Sequence, residues 1–407
     1  MNYDLLDGLR VIESSAFVAA PLCGMSLAQL GADVIRVDLI GGGIDYRRLP
    51  LMPGGRSLYW TSLNKAKRSV ALDIRRPQGR ELLAQLVGAP GEQGGVLLTN
   101  LGSPWLSHAA LQGQRPDLIS CTIEGNQDGS SAVDYTINCA TGYPALTGHG
   151  SVDSPVNHVL PAWDVICAHQ AASAIIAASA RRQRSGQGAE IRLALADCAF
   201  STMSHLSVLA EAQLLEGERH SLGNHLYGAF GHDFATADGR RVMIAAISLK
   251  QWLALVAACS LNAPIAALEA SLGLDFSSEA DRFEGRELIA ALLKRWCQQR
   301  SLEQIRACFD PAGVCWGLYN TVRQLLQGDA RVSTHNAIFQ QVDTPGVGRH
   351  LAAGTALRLA GQQRQAVRPA PELGQHTDEV LAEVLGLSGY QIGLLHDAGV
   401  VAGPGRE

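Results

Sequence analysis

Residues 9–38, LRVIESSAFVAAPLCGMSLAQLGADVIRVD, combine the signals of a strand, a helix and a second strand in one short segment. Residues 9–13 and 33–38 are short runs with valine and isoleucine, which predicts two strands. The apolar residues between 21 and 30 favour a helix, and Gly31 suits the left-handed turn that ends one. This succession predicts parallel strands joined by a crossover helix.

The same alternation continues along the chain. Further strands are predicted at residues 95–100, 117–123 and 191–195, and helices at residues 77–87, 163–184 and 196–216. Repeated strand–helix alternation predicts an α/β fold in which a mostly parallel sheet is covered by helices on both faces.

The composition changes after residue 216. Residues 217–231 are rich in glycine, histidine and aromatic residues, which is typical of a ligand-facing loop. A hairpin is predicted at 235–246 with its turn at Asp238-Gly239, followed by helices near 249–261, 286–300 and 301–310. Strand–helix alternation returns from about residue 314. We therefore expect a large domain formed by residues 1–216 and 314–407, with a smaller α+β domain at 217–313 inserted into it.

The overall composition limits the classes of partner. The 407 residues carry a net charge of −5, which argues against nucleic acid as the main partner. The nine cysteines include no CxxC pair, so neither disulfides nor zinc sites are expected. We therefore expect a reducing, cytoplasmic location. The N-terminus lacks the pattern of a signal peptide. Residues 165–180 form the most apolar long stretch but are too short to span a membrane, so no membrane partner is expected.

Sequence motifs for the common cofactors are also missing. The twelve histidines include no HxxxH or HExxH pattern, so no metal site is expected. The glycine triplet at residues 41–43 lacks the GxGxxG spacing of a dinucleotide-binding loop, which argues against a nicotinamide cofactor.

Asp164 is the most informative candidate for chemistry. It lies among apolar residues, including Trp163 and Val165, near the predicted beginning of a long helix. Partial burial raises the pKa of a carboxyl group, whereas a helix N-terminus favours its anion. A poorly solvated carboxylate of this kind suits nucleophilic attack on a thioester. An ordinary helix-capping aspartate is the alternative, and the local sequence leaves both possibilities open.

Several segments, in this order and spacing, resemble the family III coenzyme A transferases along essentially the full chain. The matching segments are residues 6–13, 21–24, 30–36 and 64–73, the region around Asp164, Asp238-Gly239, and residues 373–378. The resemblance implies a Rossmann-like large domain with an inserted smaller α+β domain, and a homodimer of two interlocked rings. It also implies that Asp164 is the nucleophile. Coenzyme A would be part of a thioester substrate, with no further cofactor.

A likeness within this family extends the expectation to the substrate. Residues 14–21, 40–46, 156–164 and 223–233 resemble members that move coenzyme A between the two carboxyl groups of one branched unsaturated dicarboxylate. That reaction passes through an aspartyl anhydride and an aspartyl-CoA thioester, and it belongs to a route of carbon fixation. Three alternatives stay open. They are an intermolecular transferase that uses two different acids, an α-methylacyl-CoA racemase, which would carry a histidine at the position of Ser131, and a non-catalytic CoA-binding protein.

The resemblance also suggests which residues contact coenzyme A. The positions that match the family's contacts are Phe17, Val18, Ala19, Leu72, Asn100 and Leu101. Leu39, Ser107 and Glu124 stand where formyl-CoA transferase has basic residues. Other basic side chains are therefore candidates for the phosphates, although each could equally be a solvated surface charge. They are Arg36, Arg47, Lys65, Lys67 and Arg68.

A second group of candidates concerns the acyl part of the substrate. The glycine-rich loop at 224–230 is expected to cover the site, with Asn224, Tyr227 and Gly228 as its contributing residues, although a plain interdomain linker is the alternative. Tyr135 and His158 are further candidates near the substrate. The backbone N–H groups that follow Ala16 are expected to form an oxyanion hole.

Overall fold

The computed structural model describes residues 3–405, which form two compact units. The first unit contains the chain up to Thr141, residues His158–Gln213 and the chain from Ala330 onward, and the second contains Gly142–Asn157 and Leu214–Asp329. Within residues 3–405 the strands are, in chain order, β1 (Arg10–Ser14), β2 (Asp33–Asp38), β3 (Arg68–Leu72), β4 (Val96–Thr99), β5 (Ile119–Glu124), β6 (Ala189–Ala194), β7 (Phe230–Ala235), β8 (Arg241–Ala246), β9 (Cys315–Leu318), β10 (Phe339–Thr344), β11 (Gly348–Ala353) and β12 (Val401–Ala402).

The helices surround these strands in both units. In the same part of the chain they are α1 (Ala19–Gln29), α2 (Leu58–Leu63), α3 (Pro77–Gly88), α4 (His108–Leu111), α5 (Asp134–Ala140), α6 (Tyr143–Leu146), α7 (Ala162–Ser185), α8 (Leu195–His205), α9 (Val208–Leu214), α10 (Leu249–Ala258), α11 (Asn262–Leu272), α12 (Glu279–Glu284), α13 (Arg286–Gln298), α14 (Leu302–Ala312), α15 (Val322–Gly328), α16 (Thr377–Leu385) and α17 (Gly389–Asp397).

The central sheet of the first unit confirms the predicted α/β fold. Its order is β12-β3-β2-β1-β4-β5-β6, and all neighbouring strands are parallel except β12, which runs antiparallel to β3. The order β3-β2-β1-β4-β5-β6 is that of a Rossmann-type sheet, in which the direction of strand succession reverses between β1 and β4. Strand β4 is buried along its whole length, as expected of a sheet covered on both faces.

The second unit contains its own small sheet. Strands β7, β8 and β9 pair antiparallel, and the predicted hairpin turn at Asp238-Gly239 connects β7 with β8. Beside the predicted residues 217–313, the unit includes residues 314–329, because β9 pairs with β8. It also includes residues 142–157, where an antiparallel bridge joins Gly148 to Gly223. Such long-range pairing leaves no signal in local composition.

The helix predicted at 196–216 is divided in two. Helix α8 ends at His205 and α9 begins at Val208, with Ser207 between them at a φ angle of 68°. A residue in the left-handed region cannot continue a right-handed helix, so the chain changes direction there.

Two further properties apply to residues 3–405. No helix in this range has the length and apolarity that crossing a membrane requires. No group of three or more histidine, cysteine, aspartate or glutamate side chains in this range is arranged to hold a metal ion.

Candidate active site

The loops that follow β1 and β4 meet at the point where the strand order reverses. Asn100, directly after β4, accepts a hydrogen bond from the backbone N–H of Ala16 on Oδ1 at 2.9 Å. Its Nδ2 donates to the carbonyl oxygen of Ala16 at 2.8 Å. Both polar groups of one residue in the β1 loop are thus held by one side chain. Ligands of open α/β sheets bind at this crevice, so the loop is positioned where a ligand is expected.

The next residue in the β1 loop, Phe17, is held in an unusual conformation. Its φ angle is 66°, and its N–H donates to Oδ2 of the buried Asp45 at 3.0 Å. The left-handed conformation is unfavourable for a non-glycine residue and persists only where surrounding contacts impose it. Asp45 supplies such a contact. The Phe17 ring stays 37% exposed, while the following Val18 and Ala19 are buried at the beginning of α1.

This geometry narrows the expected oxyanion hole, which the sequence assigns to the N–H groups that follow Ala16. The N–H of Phe17 already donates to Asp45 and is not available to a developing oxyanion, and the N–H of Ala16 itself donates to Asn100. The N–H groups of Val18 and Ala19 lie where α1 begins, a place at which a helix has no acceptors of its own.

Two basic residues predicted to hold phosphates lie inside the first unit. Arg36 is 1% exposed and donates to Asp38 at 2.9 Å and to Glu13 at 3.2 Å. Lys67 is 4% exposed, with Nζ 2.8 Å from Glu13 Oε2. Burial lowers the pKa of Lys67 to about 8 against the opposing effect of Glu13. Because these cations neutralise buried carboxylates, a role as phosphate ligands does not fit Arg36 or Lys67.

The other residues predicted to contact coenzyme A differ in burial and in the partners that they bind. Leu72 is fully buried in β3, so its side chain cannot be a ligand contact. Lys65 donates to the carbonyl oxygen of Ala353 at 3.0 Å, and burial lowers its pKa. Arg68 pairs with Asp33, Glu379 and Glu383. Arg47 and Leu101 are exposed, and Leu101 follows Asn100 at the sheet crevice.

The beginning of α7 is organised by a carboxylate from another helix. Pro161 is the residue before the first helical position and offers no side-chain cap. Asp134, 2% exposed in α5, accepts from the N–H of Trp163 at 2.8 Å and of Asp164 at 3.2 Å on Oδ2. Its Oδ1 is 2.8 Å from His158 Nε2. Asp134 therefore takes the capping role for α7.

Asp164 occupies the third position of α7, so an ordinary N-cap aspartate is the wrong interpretation. Its half-buried carboxylate accepts no hydrogen bond from the part of the chain that the structure describes. Burial raises the pKa of Asp164 from 3.8 to about 7, and the negative charge of Asp134 adds to the increase. A carboxylate that is poorly solvated and not hydrogen-bonded is a stronger nucleophile than one in water.

Tyr59, whose pKa the charge of Asp164 affects, belongs to a cluster of aromatic and basic side chains in the first unit. Burial raises the pKa of Tyr59 to about 12 against the lowering effect of Arg48, and the charge of Asp164 also raises it. The Arg48 guanidinium lies 5.2 Å from the centre of the Tyr59 ring and 5.5 Å from that of Phe17. Tyr135, 44% exposed, donates to the carbonyl oxygen of Val159 at 3.5 Å.

The imidazole of His158 lies near the rings of both Tyr135 and Trp163. It lies edge-on to Tyr135, with ring centres 6.1 Å apart, and 6.4 Å from the Trp163 ring. Asp134 binds both His158 and the N–H of Asp164, so these residues lie in one region of the first unit. That Tyr135 and His158 lie near the substrate stays a prediction.

The glycine-rich loop belongs to the second unit. Tyr227 is flanked by Arg219, at 3.7 Å from the ring centre, and by Phe283. Burial, the largest influence, raises the pKa of Asp233, but hydrogen bonds from Arg241 and from Asn224 of the loop lower it below its usual value. Gly228, at a φ angle of 77°, precedes β7. The cover role of Asn224, Tyr227 and Gly228 stays a prediction.

Four residues of this site were missed by sequence reasoning. Asp45 and Arg48 follow the glycine triplet at 41–43, and a loop that follows a strand of a parallel sheet is a signal for ligand contact. Asp134 adjoins the candidate Tyr135 but, as a lone aspartate, carries no local signal of its capping role. Tyr59 lies in the short helix α2, where a single tyrosine is not distinctive.

Comparison with known proteins confirms the family resemblance. The model of CoA-transferase family III matches residues 6–377. Over 404 residues the chain is 48% identical to the 2-methylfumaryl-CoA isomerase of Chloroflexus aurantiacus, with 99% of each chain covered. It is 27% identical over 416 residues to the succinyl-CoA–D-citramalate CoA-transferase of the same organism, covering 97% of this chain and 98% of that protein.

Solved structures share the fold as well. A crystal structure of a CAIB/BAIF family protein from Brucella suis has a TM-score of 0.75 and 25% sequence identity. The match covers 94% of this chain and 100% of that one. Since the family model spans most of the described residues, the chain belongs to CoA-transferase family III.

Proposed function

We propose that this chain moves coenzyme A between the two carboxyl groups of one branched unsaturated dicarboxylate, converting mesaconyl-C1-CoA into mesaconyl-C4-CoA. The state of Asp164 supports this proposal most directly. Its carboxylate is half-buried, lacks an internal hydrogen-bond donor among the described residues and has a pKa raised to about 7. Near neutral pH a substantial fraction is therefore ionised and reactive towards a thioester.

In the first half of the reaction the Asp164 carboxylate attacks the thioester carbonyl of the substrate. The carbon–sulfur bond breaks, which leaves a mixed anhydride on Asp164 and releases the coenzyme A thiolate. The thiolate then attacks the aspartyl carbonyl. This step gives an aspartyl-CoA thioester and a free dicarboxylate, whose new carboxylate carries an oxygen that came from Asp164.

The second half repeats these steps from the other end of the dicarboxylate. The second carboxylate attacks the aspartyl-CoA thioester, forms a new mixed anhydride and again expels the thiolate. Attack of the thiolate on the acyl carbonyl gives the isomeric thioester and restores the Asp164 carboxylate. No resident cofactor takes part. Water must be excluded throughout, since both covalent intermediates are hydrolysable.

Tyr59 is suited to stabilise the tetrahedral states of these steps. Its pKa of about 12 keeps the phenol protonated at neutral pH, so that the hydroxyl can donate a hydrogen bond. Donors directed at a developing oxyanion in a water-poor site contribute strongly to acyl transfer. Tyr59 is therefore our candidate for the donor that the N–H groups of Ala16 and Phe17 cannot provide.

The choice of an intramolecular reaction rests on similarity. The relative named 2-methylfumaryl-CoA isomerase is 48% identical over nearly the whole chain, whereas the relatives named as succinyl-CoA transferases are 27% identical. An intermolecular transferase that uses two different acids is the principal alternative. The interlocked homodimer and the cytoplasmic location stay predictions.

A crossover experiment tests the proposed function. The enzyme is incubated with unlabelled mesaconyl-C1-CoA and an excess of isotopically labelled free mesaconate. We expect unlabelled mesaconyl-C4-CoA, because the dicarboxylate stays bound while it turns. Label that enters the product as fast as the product forms would contradict the intramolecular reaction and favour an intermolecular one. Asp164→Asn should abolish turnover, while Asp197→Asn, at the same position of helix α8 but exposed, should not.

A further inference from the structure

Arg48 is an exposed cation that lies between two aromatic rings of the candidate active site. Its guanidinium carbon is 5.5 Å from the centre of the Phe17 ring and 5.2 Å from that of Tyr59. Among the described residues no carboxylate forms an ion pair with it. Arg36 and Arg68 differ, since both pair with carboxylates of the chain itself.

The backbone beneath Arg48 is fixed on both sides. Its N–H donates to the carbonyl oxygen of Asp45 at 3.1 Å, and its own carbonyl oxygen accepts from Ser57 Oγ at 2.5 Å. The side chain of the same Asp45 holds the N–H of Phe17. One buried aspartate thus holds the backbone of both Arg48 and Phe17. The guanidinium contacts the Phe17 and Tyr59 rings, which limits the conformations that it can adopt before it binds an anion.

The cation and the nucleophile both act on Tyr59. The charge of Arg48 lowers the pKa of the phenol and that of Asp164 raises it, while burial has the largest effect. The Arg48 guanidinium contacts the Tyr59 ring directly, and the charge of Asp164 reaches the same phenol, so the cation and the carboxylate share Tyr59 as a neighbour. A dicarboxylate that reacts at one end can place its other end at Arg48.

We propose that Arg48 binds the carboxylate of the substrate that is not reacting with Asp164. This inference rests on the proposed function, because only a dicarboxylate has such a second group. A guanidinium matches the planar geometry of a carboxylate and can donate two parallel hydrogen bonds. When the thioester moves from one end to the other, the two carboxyl groups exchange places between Asp164 and Arg48. The free diacid is retained in the interval by the same cation.

The binding of a carboxylate by Arg48 predicts selectivity for dicarboxylates. An acyl-CoA of the same carbon skeleton with a methyl group in place of the free carboxylate makes no contact that Arg48 would strengthen. A phosphate of coenzyme A offers similar anionic chemistry, so the experiment must separate the two sources. If Arg48 held a phosphate, its removal would weaken coenzyme A and every acyl-CoA alike.

The test compares Arg48→Gln, Arg48→Lys and the control Arg181→Gln with the wild-type enzyme. Arg181 is exposed in the last turns of α7, the helix that carries Asp164 near its beginning. We expect Arg48→Gln to lower kcat/KM for mesaconyl-C1-CoA roughly 100-fold. Free mesaconate should become a weaker inhibitor by roughly tenfold or more, while the Kd of coenzyme A changes less than about twofold. Arg48→Lys should recover part of the loss, because it keeps the charge but not the planar donors.

Acylation of Asp164 by the monocarboxylic acyl-CoA, followed as thiol release in the presence of hydroxylamine, gives the second readout. It should be equal in wild type and Arg48→Gln. Equal weakening of coenzyme A and of the dicarboxylate would overturn the proposal in favour of a phosphate site, and so would full activity of Arg48→Gln. An inactive wild-type enzyme would instead refute the proposed function, and the inference with it. Melting temperatures of all variants establish that each one is folded.

Discussion

Replacing Asp164 with asparagine should stabilise the folded protein, and the gain should grow with pH. The carboxyl titrates near 3.8 when solvated and near 7 in the fold, where burial is the main cause of the raised pKa and Asp134 the second. Between these pH values the folded protein keeps a proton that the unfolded chain has lost. The free energy of unfolding of the wild type therefore falls as pH rises through this window.

The size of the effect follows from the shift in pKa. A difference of about three units, at 1.36 kcal/mol for each unit, amounts to about 4 kcal/mol above pH 7. Near pH 5 only about 1–2 kcal/mol of that cost is present, and it vanishes well below pH 3.8, where both states are protonated. Asparagine cannot ionise, so the free energy of unfolding of Asp164→Asn does not contain this penalty. These figures are upper limits, since relaxation and water entry reduce the effective penalty.

The assay is urea unfolding of wild type and Asp164→Asn at about pH 5, 6.5 and 8, monitored by tryptophan fluorescence. Asp197→Asn is the matched control, because Asp197 has the same helix position in α8 but is exposed. It should lose only a few tenths of a kcal/mol of favourable helix-dipole interaction. A stability difference for Asp164→Asn that is the same at all three pH values would refute the assignment of a raised pKa.

Three further outcomes follow from the site. The value of kcat/KM should rise with pH through about 7, since the anion of Asp164 is the nucleophile. Asp134→Asn should shift this rise to lower pH, because the charge that helps to raise the pKa of Asp164 is removed. A pH profile that the substitution leaves unchanged would contradict the influence of Asp134. Asp134→Ala should lower the free energy of unfolding by roughly 2–4 kcal/mol, because two N–H groups of α7 and His158 lose a charged acceptor. A loss near zero in urea titrations would show that Asp134 does not cap the helix. Asn100→Ala should reduce kcat/KM at least roughly tenfold, since both polar groups of Ala16 lose their partner; unchanged steady-state kinetics would exclude a positioning role.

The central sheet could be predicted because its strands carry strong local signals. The runs 9–13 and 33–38 correspond to β1 and β2, and Gly31 follows α1 as expected. Strands β3 and β12 were not predicted. The two residues of β12 form a strand only through antiparallel pairing with β3, from which they are separated by more than three hundred residues of chain.

The candidate site was predicted in part, for a physical reason. Residues whose role depends on their own position, such as Asp164 and Asn100, stand out in sequence because a polar group follows an apolar run or begins a helix. Residues whose role depends on a distant partner do not. Arg36 and Lys67 look like surface cations in sequence, yet both are buried because each forms an ion pair with the buried carboxylate of Glu13. Asp134 likewise caps a helix that begins far along the chain from it.

Oxygen transfer to Asp164 tests the proposed mechanism most directly. The substrate is mesaconyl-C1-CoA with heavy oxygen in its free carboxylate, and the enzyme is analysed by peptide mass spectrometry after turnover in ordinary water. In each cycle the dicarboxylate takes one oxygen of Asp164 and gives back one of its own. A single turnover, with enzyme in excess of substrate, should therefore leave one heavy oxygen in the peptide that contains Asp164, and repeated turnover should add a second. Formation of the C4 thioester without heavy oxygen in that peptide would contradict nucleophilic catalysis by Asp164.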